Sequence, residues 1–147
     1  MSQNIVELKL AGNIPAKKNS RINRGDGMSF PSRAFEDWQK TAIGNVRLQT
    51  KERFEGHVML ELILYFGTLG RADTDNRVTS ILDMLVKAGV FPDDYWESIA
   101  KTNYEAAYRP GRPGAFIRIT PLPDDFFGPE YAEASAKRDK RNLAKKR

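Results

Sequence analysis

Residues 4–10 (NIVELKL) alternate apolar and polar, with Val6, Leu8 and Leu10 on one side and Glu7 and Lys9 on the other, which predicts a half-buried strand. Residues 57–66 (HVMLELILYF) carry the strongest strand signal. Val58, Leu60, Leu62, Leu64 and Phe66 share a face, and Met59, Ile63 and Tyr65 make the other face mostly apolar, so a central strand covered on both sides is expected. Between these strands the period turns helical. Ser32 can cap a helix over about 33–48, in which Ala34, Trp38, Ala42 and Val46 recur on one side. A second helix is predicted over 76–88, with Asp75 as N-cap and Gly89 as its stop. There Val78, Ile81, Leu82 and Leu85 fall at i, i+3, i+4 and i+7 and face the core. Asp26-Gly27 reads as a hairpin tip, residues 98–108 as extended, 109–114 (RPGRPG) as a loop and 115–122 as a last strand. This order predicts an α+β fold, a single small domain with a mixed sheet and two main helices. The domain is expected to occupy residues 1–122. Residues 123–147, where Pro, Gly and charge dominate, are expected to be a charged, flexible tail.

A length of 147 residues suits one domain with a real core. There is no cysteine, which removes disulfides and thiolate metal sites from consideration. No signal-peptide pattern and no bilayer-spanning apolar run occur, so a cytoplasmic protein with no membrane attachment is expected. Residues 137–147 hold seven Lys or Arg and one Asp, a local +6, so the other 136 residues carry −1 of the total +5. The basic character belongs to the tail, which suits phosphate contacts as well as simple solvation.

The segment GRADTDNRVTSILDMLVKAGVFPDDYW, residues 70–96, holds the candidate chemistry. Asp73 and Asp75 stand two apart before the second helix, and Asp93-Asp94 follow it. On extended backbone, residues two apart point to one side. Two carboxylates about 5 Å apart repel by roughly 3 kcal/mol at an effective dielectric near 20, a repulsion that a cation or a neighbouring Lys or Arg removes. Hard oxygen ligands select Mg²⁺ or Mn²⁺. With Asp93 and Asp94 added, the set matches the carboxylate sites that activate water for phosphodiester hydrolysis. Helix capping by either aspartate, and a solvated turn after Pro92, are the plainer readings. Geometry is demanding: thirteen helical residues advance about 20 Å, whereas residues 89–93 retrace at most about 16–18 Å. Either the helix is shorter, the chain returns nearly straight, or a second protomer supplies one set.

DTDN at 73–76, LD at 82–83, KAG at 87–89 and DD at 93–94 together resemble the RusA family of Holliday junction resolvases. Gly12-x-x-Pro15 followed by KKNSR, a hairpin and a helix is similar to that family's N-terminal part. The resemblance spans roughly residues 5–120 and is sharpest at 70–95. It implies a RusA-like, dimeric fold and a Mg²⁺-dependent, structure-selective endonuclease that resolves four-way (Holliday) DNA junctions in recombination and repair. The implied partners are branched DNA and a second copy of the chain, the implied cofactor is Mg²⁺ (or Mn²⁺) with no small-molecule cofactor, and a phage or prophage origin is common in the family. By position, Asp73, Asp75 and Asp94 would be the catalytic and metal-binding residues, with Asp93 beside them at the metal and Asn76 as the polar neighbour. One departure stands out. Family members typically carry a lysine three residues after the Asn, where this chain has Thr79. A hydroxyl cannot supply that charge, so either another cation (Lys101, Lys17 or Lys18) serves, or the chain binds junctions with little or no cleavage.

Lys17, Lys18, Asn19, Arg21 and Arg24, with Asn23, form a basic, polar loop. They are candidates for DNA-backbone contacts, against the plain reading of a solvated loop. Phe30 or Tyr95-Trp96 could stack on unpaired bases, although aromatics flanking strands are more often core. His57, the single histidine, lacks a Cys or His partner and reads as structural. No P-loop, GxGxxG or nucleophile motif is present. A phosphatase-like use of D-x-D is disfavoured because Asp73 follows a Gly-rich turn instead of ending a hydrophobic strand.

Overall fold

The computed structural model describes residues 4–16, 21–23 and 29–146, without the side chains of 21–23 and 29–31. In chain order these form β1 (Val6–Ala11), β2 (Arg21–Asn23), β3 (Ser29–Pro31), α1 (Arg33–Gln49), β4 (Val58–Phe66), α2 (Thr74–Lys87), β5 (Ile99–Tyr108), β6 (Gly114–Pro121) and α3 (Pro129–Lys145). The expected α+β fold with a mixed sheet is present, with three helices where two main ones were expected. The third falls in the segment read as a tail, because Pro129 at its start and a run of Ala, Lys, Arg and Glu favour helix even where nothing is buried. Strands β2 and β3 pair antiparallel, as the expected hairpin requires; its tip at Asp26-Gly27 lies outside the described residues.

The main sheet has the order β1-β6-β4-β5. β6 runs antiparallel to both of its neighbours, whereas β4 and β5 are parallel and joined through α2. Parallel strands cannot be joined by a tight turn, so the chain must cross over, and α2 is that crossover. One sheet face is the core. Leu8, Leu10, Leu60, Leu62, Leu64, Ile117 and Ile119 meet Val46 of α1 and Ile81, Met84 and Leu85 of α2, with Phe54, Val90 and Phe91 closing the end. The buried stripe of α1 is Phe35, Gln39, Ala42 and Val46, so Phe35 takes the place expected of Ala34, which is exposed.

The expectation that β4 is covered on both faces is half met. It is central, but Met59, Glu61, Ile63 and Tyr65 remain only half-buried on the second face. That face is made soluble by a cross-strand charge row: Arg118 sits in register between Glu7 and Glu61 and approaches them at 3.4 and 3.9 Å. An apolar alternation shows which residues pair across strands but not whether a layer lies above them.

Two polar ties hold the helices at a fixed distance. Gln39, buried in α1, donates to Asp83 at 2.7 Å and accepts from Lys87 at 3.1 Å, both on α2. Gly89, at φ +85°, ends α2 in the left-handed conformation that glycine adopts without strain. Because Leu85 is fully buried at the α2–sheet contact, Leu85→Ala should lower unfolding free energy by about 2–5 kcal/mol. Exposed Leu143→Ala on α3 should change it by less than about 0.5 kcal/mol. Chemical denaturation with equal losses in both variants would contradict this layering.

Candidate active site at the start of the second helix

Asp73 is the N-cap residue of α2 by backbone conformation, yet its side chain makes no capping hydrogen bond. The helix begins two residues earlier than its hydrophobic period indicates, so Asp73, not Asp75, takes the cap position. Its exposed carboxylate instead accepts from the Asn76 side-chain amide at 2.9 Å and lies 3.5 Å from the Arg77 guanidinium. Arg77 also donates to the Asp73 carbonyl at 2.8 Å. Asp75 sits in the first turn, exposed, and accepts from the Asn76 backbone N–H at 3.1 Å. Both carboxylates therefore occupy the positive end of the α2 dipole, beyond the carboxyl ends of the parallel pair β4 and β5. Open α/β sheets bind ligands outside that edge.

Arg77 is the residue that motif reading missed. It follows Asp73 by four residues on a helix, which is the signal for such a pair. Thr79, where the family resemblance led to a lysine being expected, donates its hydroxyl to the Asp75 carbonyl at 3.0 Å. Lys101 is a poor substitute within one protomer, because it pairs with Met59 at the opposite end of β4. A shallow cleft of Asn13, Ile14, Pro15, Arg71, Thr74 and Arg77 adjoins the two aspartates. Its floor is tied to α2 by Ser80, fully buried, whose hydroxyl donates to the Pro15 carbonyl at 2.6 Å. Pro15 is thus held against the first turns of α2. Lys17, Lys18, Asn19 and Arg24 lie outside the described residues; Arg21 is described for its backbone alone.

Asp93 and Asp94 are exposed after α2, and Asp93 accepts from the Asp94 backbone N–H at 2.8 Å. The structure does not bring them to Asp73 and Asp75 within one protomer. The fourteen residues of α2 advance about 21 Å, and the turn after α2 is tied to the far end of the sheet by Phe54 to Val90 and Val58 to Ser98. Among the described residues no three acidic or histidine side chains gather as a metal site. Asp73 and Asp75 offer hard oxygen donors, one with its capping role unfilled. Two carboxylates plus water and substrate phosphate suit Mg²⁺, so these residues fit part of such a site.

The turn carrying Asp94 is gripped from the C-terminal side. Glu97, with 14% of its side chain exposed, accepts from Arg138 at 2.6 Å and from the Tyr131 hydroxyl at 2.7 Å. Trp96 and His57 both pack edge-on against Phe127 and Tyr131, and the His57 ring hydrogen-bonds with the Glu97 carbonyl at 2.5 Å. His57 is structural, as expected. Trp96 touches this cluster on one side yet stays 59% exposed, and Tyr95 is 48% exposed, so both of these expected stacking aromatics still reach solvent.

The fold and these sites define the class, a small α+β domain with a carboxylate pair and an arginine at a helix N-terminus. The chain belongs to the endodeoxyribonuclease RusA family, which matches it over residues 11–120. It is also similar to the crossover junction endodeoxyribonuclease RusA of Aquifex aeolicus (strain VF5), with 26% identity over 118 residues covering 80% of this chain and 92% of that protein. The sequence resemblance to this family therefore holds, and α3 lies beyond the matched segment. None of the described helices is long and apolar enough to cross a membrane.

Hydrogen bonds from Arg138 first, and from Tyr131 second, hold the Glu97 carboxyl below the usual carboxylate range. A lowered folded-state pKa contributes stability that is complete above the unfolded value and is lost as pH falls through the folded one. The grip on α3 should therefore be intact at neutral pH and loosen only below about 4.5. In a Trp38→Phe background, Trp96 emission should change on acidification in that window, and Glu97→Gln should remove the transition. A Glu97→Gln protein with the same transition would refute the assignment to Glu97.

Proposed function

We propose that this chain is a divalent-cation-dependent endonuclease that resolves four-way DNA junctions as a homodimer, with Asp73, Asp75 and Asp94 as its catalytic carboxylates. The observation that carries this reading is the pair Asp73–Asp75, exposed at the positive end of α2, with the Asp73 carboxylate unused as a cap. Family membership and the printed activity of the Aquifex relative support the substrate class. Bound by these oxygens, Mg²⁺ would supply Lewis acidity to a phosphate oxygen and lower the pKa of a coordinated water. Asn76 fixes the Asp73 carboxylate through its side-chain amide. Arg77 balances the local negative charge at Asp73. Lys17, Lys18, Asn19, Arg21 and Arg24 would hold the sugar-phosphate backbone beside this edge.

The dimer resolves the separation between the two acidic pairs. β5 is an open sheet edge, exposed through most of its length, with Tyr104 and Tyr108 outward. Such an edge is a template for pairing with another chain. Two copies joined antiparallel at β5 about a two-fold axis keep their helices on one side of a continuous sheet. They also set the start of α2 in one copy beside the end of α2 in the other. Each metal site would then combine Asp73 and Asp75 of one protomer with Asp94, and Asp93 beside it, of the partner.

Asp75→Asn should lower junction cutting in Mg²⁺ by at least about 100-fold while gel-shift affinity for the junction survives. Equal activity of the variant and the wild type under permissive metal would end the catalytic reading. Inactive Asp75→Asn and inactive Asp94→Asn, mixed and refolded together, should regain cutting, because each heterodimer rebuilds one intact site. Recovery absent from a mixture shown to contain heterodimers would mean that Asp94 acts within its own chain or not at all.

A further inference from the structure

The helix that extends past the family-matched segment has no buried residue along its 17 positions. Isolated helices of that length are marginal in water, and this one is fastened on one side only, by Tyr131 and Arg138 to Glu97 and by the Phe127 and Tyr131 rings to Trp96. We propose that α3 is a docked arm whose open face, Lys137, Lys140 and Arg141, with Lys145 two turns beyond the anchoring Arg138, tracks the phosphate backbone of a DNA arm next to the nuclease site. This surface is additional to the loop at residues 17–24, and it rests on the junction-nuclease reading.

Residues 131, 135 and 138 face the turn that bears Asp94, whereas Lys137, Lys140 and Arg141 line a different, open face with Ala134 and Ala144. The two alanines leave the cations standing clear of their surroundings. Lys137 pairs with Glu133 at 3.2 Å, and Asp139 is taken by Arg138 at 3.5 Å. Lys140, Arg141 and Lys145 have no acidic partner among the described residues. From Lys137 to Lys145 the helix advances about 12 Å, the axial length of three to four base pairs. A merely solvated tail has no need of a largely covered carboxylate to orient it. Orientation matters when the charges must meet a ligand held elsewhere on the same protein, and a polyanion is the ligand that four cations in a row complement. The remaining 1–136 segment carries −1, so the chain's net positive charge lies in residues 137–147.

The experiment compares the wild type with a variant carrying Lys137→Gln, Lys140→Gln, Arg141→Gln and Lys145→Gln. Glutamine keeps helix propensity, and an unchanged melting curve reports that the fold is retained. Affinity for a synthetic four-way junction is measured in EDTA across a salt series. The plot of log affinity against log salt should become shallower by about 3–4, since each phosphate contact contributes about 0.9. Equal slopes for the two proteins, with the wild type still binding and cutting junctions in Mg²⁺, would overturn the arm and leave the nuclease reading intact. A wild type that neither binds nor cuts junctions would overturn both. Loss of binding by the variant on phosphatidylserine vesicles but not on DNA would overturn it in favour of a membrane surface.

Discussion

The connection between β4 and β5 governs everything functional in this molecule. Two parallel neighbours demand a crossover, and a crossover helix must run from the carboxyl edge of the sheet back to the amino edge. Whatever precedes α2 is therefore delivered to one edge, and whatever follows it to the other. The motif that looks contiguous in sequence, four aspartates around one amphipathic run, is divided by this topology. The fold places the start of α2 over the carboxyl ends of a parallel pair and leaves Asp93 and Asp94 on an exposed turn at the other end of the helix.

The acidic pair at the start of α2 is tolerated for reasons independent of any ligand. Each carboxylate gains about 0.3–1 kcal/mol from the helix dipole at an exposed site, and the Asn76 amide and Arg77 guanidinium absorb part of the charge on Asp73. Together these contributions are of the same order as the roughly 3 kcal/mol repulsion between two carboxylates about 5 Å apart. The protein alone can thus hold the pair in place.

Most of the fold was legible in the sequence because it is driven by burial. β1, β4, α1, α2 and β6 follow apolar periods of two or 3.6, and Ser32 caps α1 by accepting from the Phe35 N–H at 3.1 Å, as its position predicted. The start of α2 was misjudged because Asp73 and Asp75 are equally good caps on chemistry, and only the backbone tells them apart. The bare second face of β4 was misjudged because Met59, Ile63 and Tyr65 are apolar whether or not a layer covers them. α3 was invisible to a search for hydrophobic stripes, since its anchors are a tyrosine and an arginine spaced seven apart. Arg77 was passed over because motif reading looked for a lysine at position 79, while the i, i+4 spacing from Asp73 already named a cation one turn into the helix.

Charge is apportioned along the chain in a way that only the fold explains. On the proposed reading, carboxylates at the start of α2 would repel the phosphates of a DNA substrate, so cations would be needed at the margins of the site and not at its centre. Arg77 is allowed close because its guanidinium is engaged at the backbone of Asp73 as well as at its side chain. The other margin is reached from outside the sheet, by a helix fixed to the very turn that carries Asp94. There one cation of the helix, Arg138, pairs with Glu97, and together with the Tyr131 contacts this orients the rest. Held on one side by the Glu97 hydrogen bonds and the ring contacts of Tyr131, the helix keeps its other face in solvent.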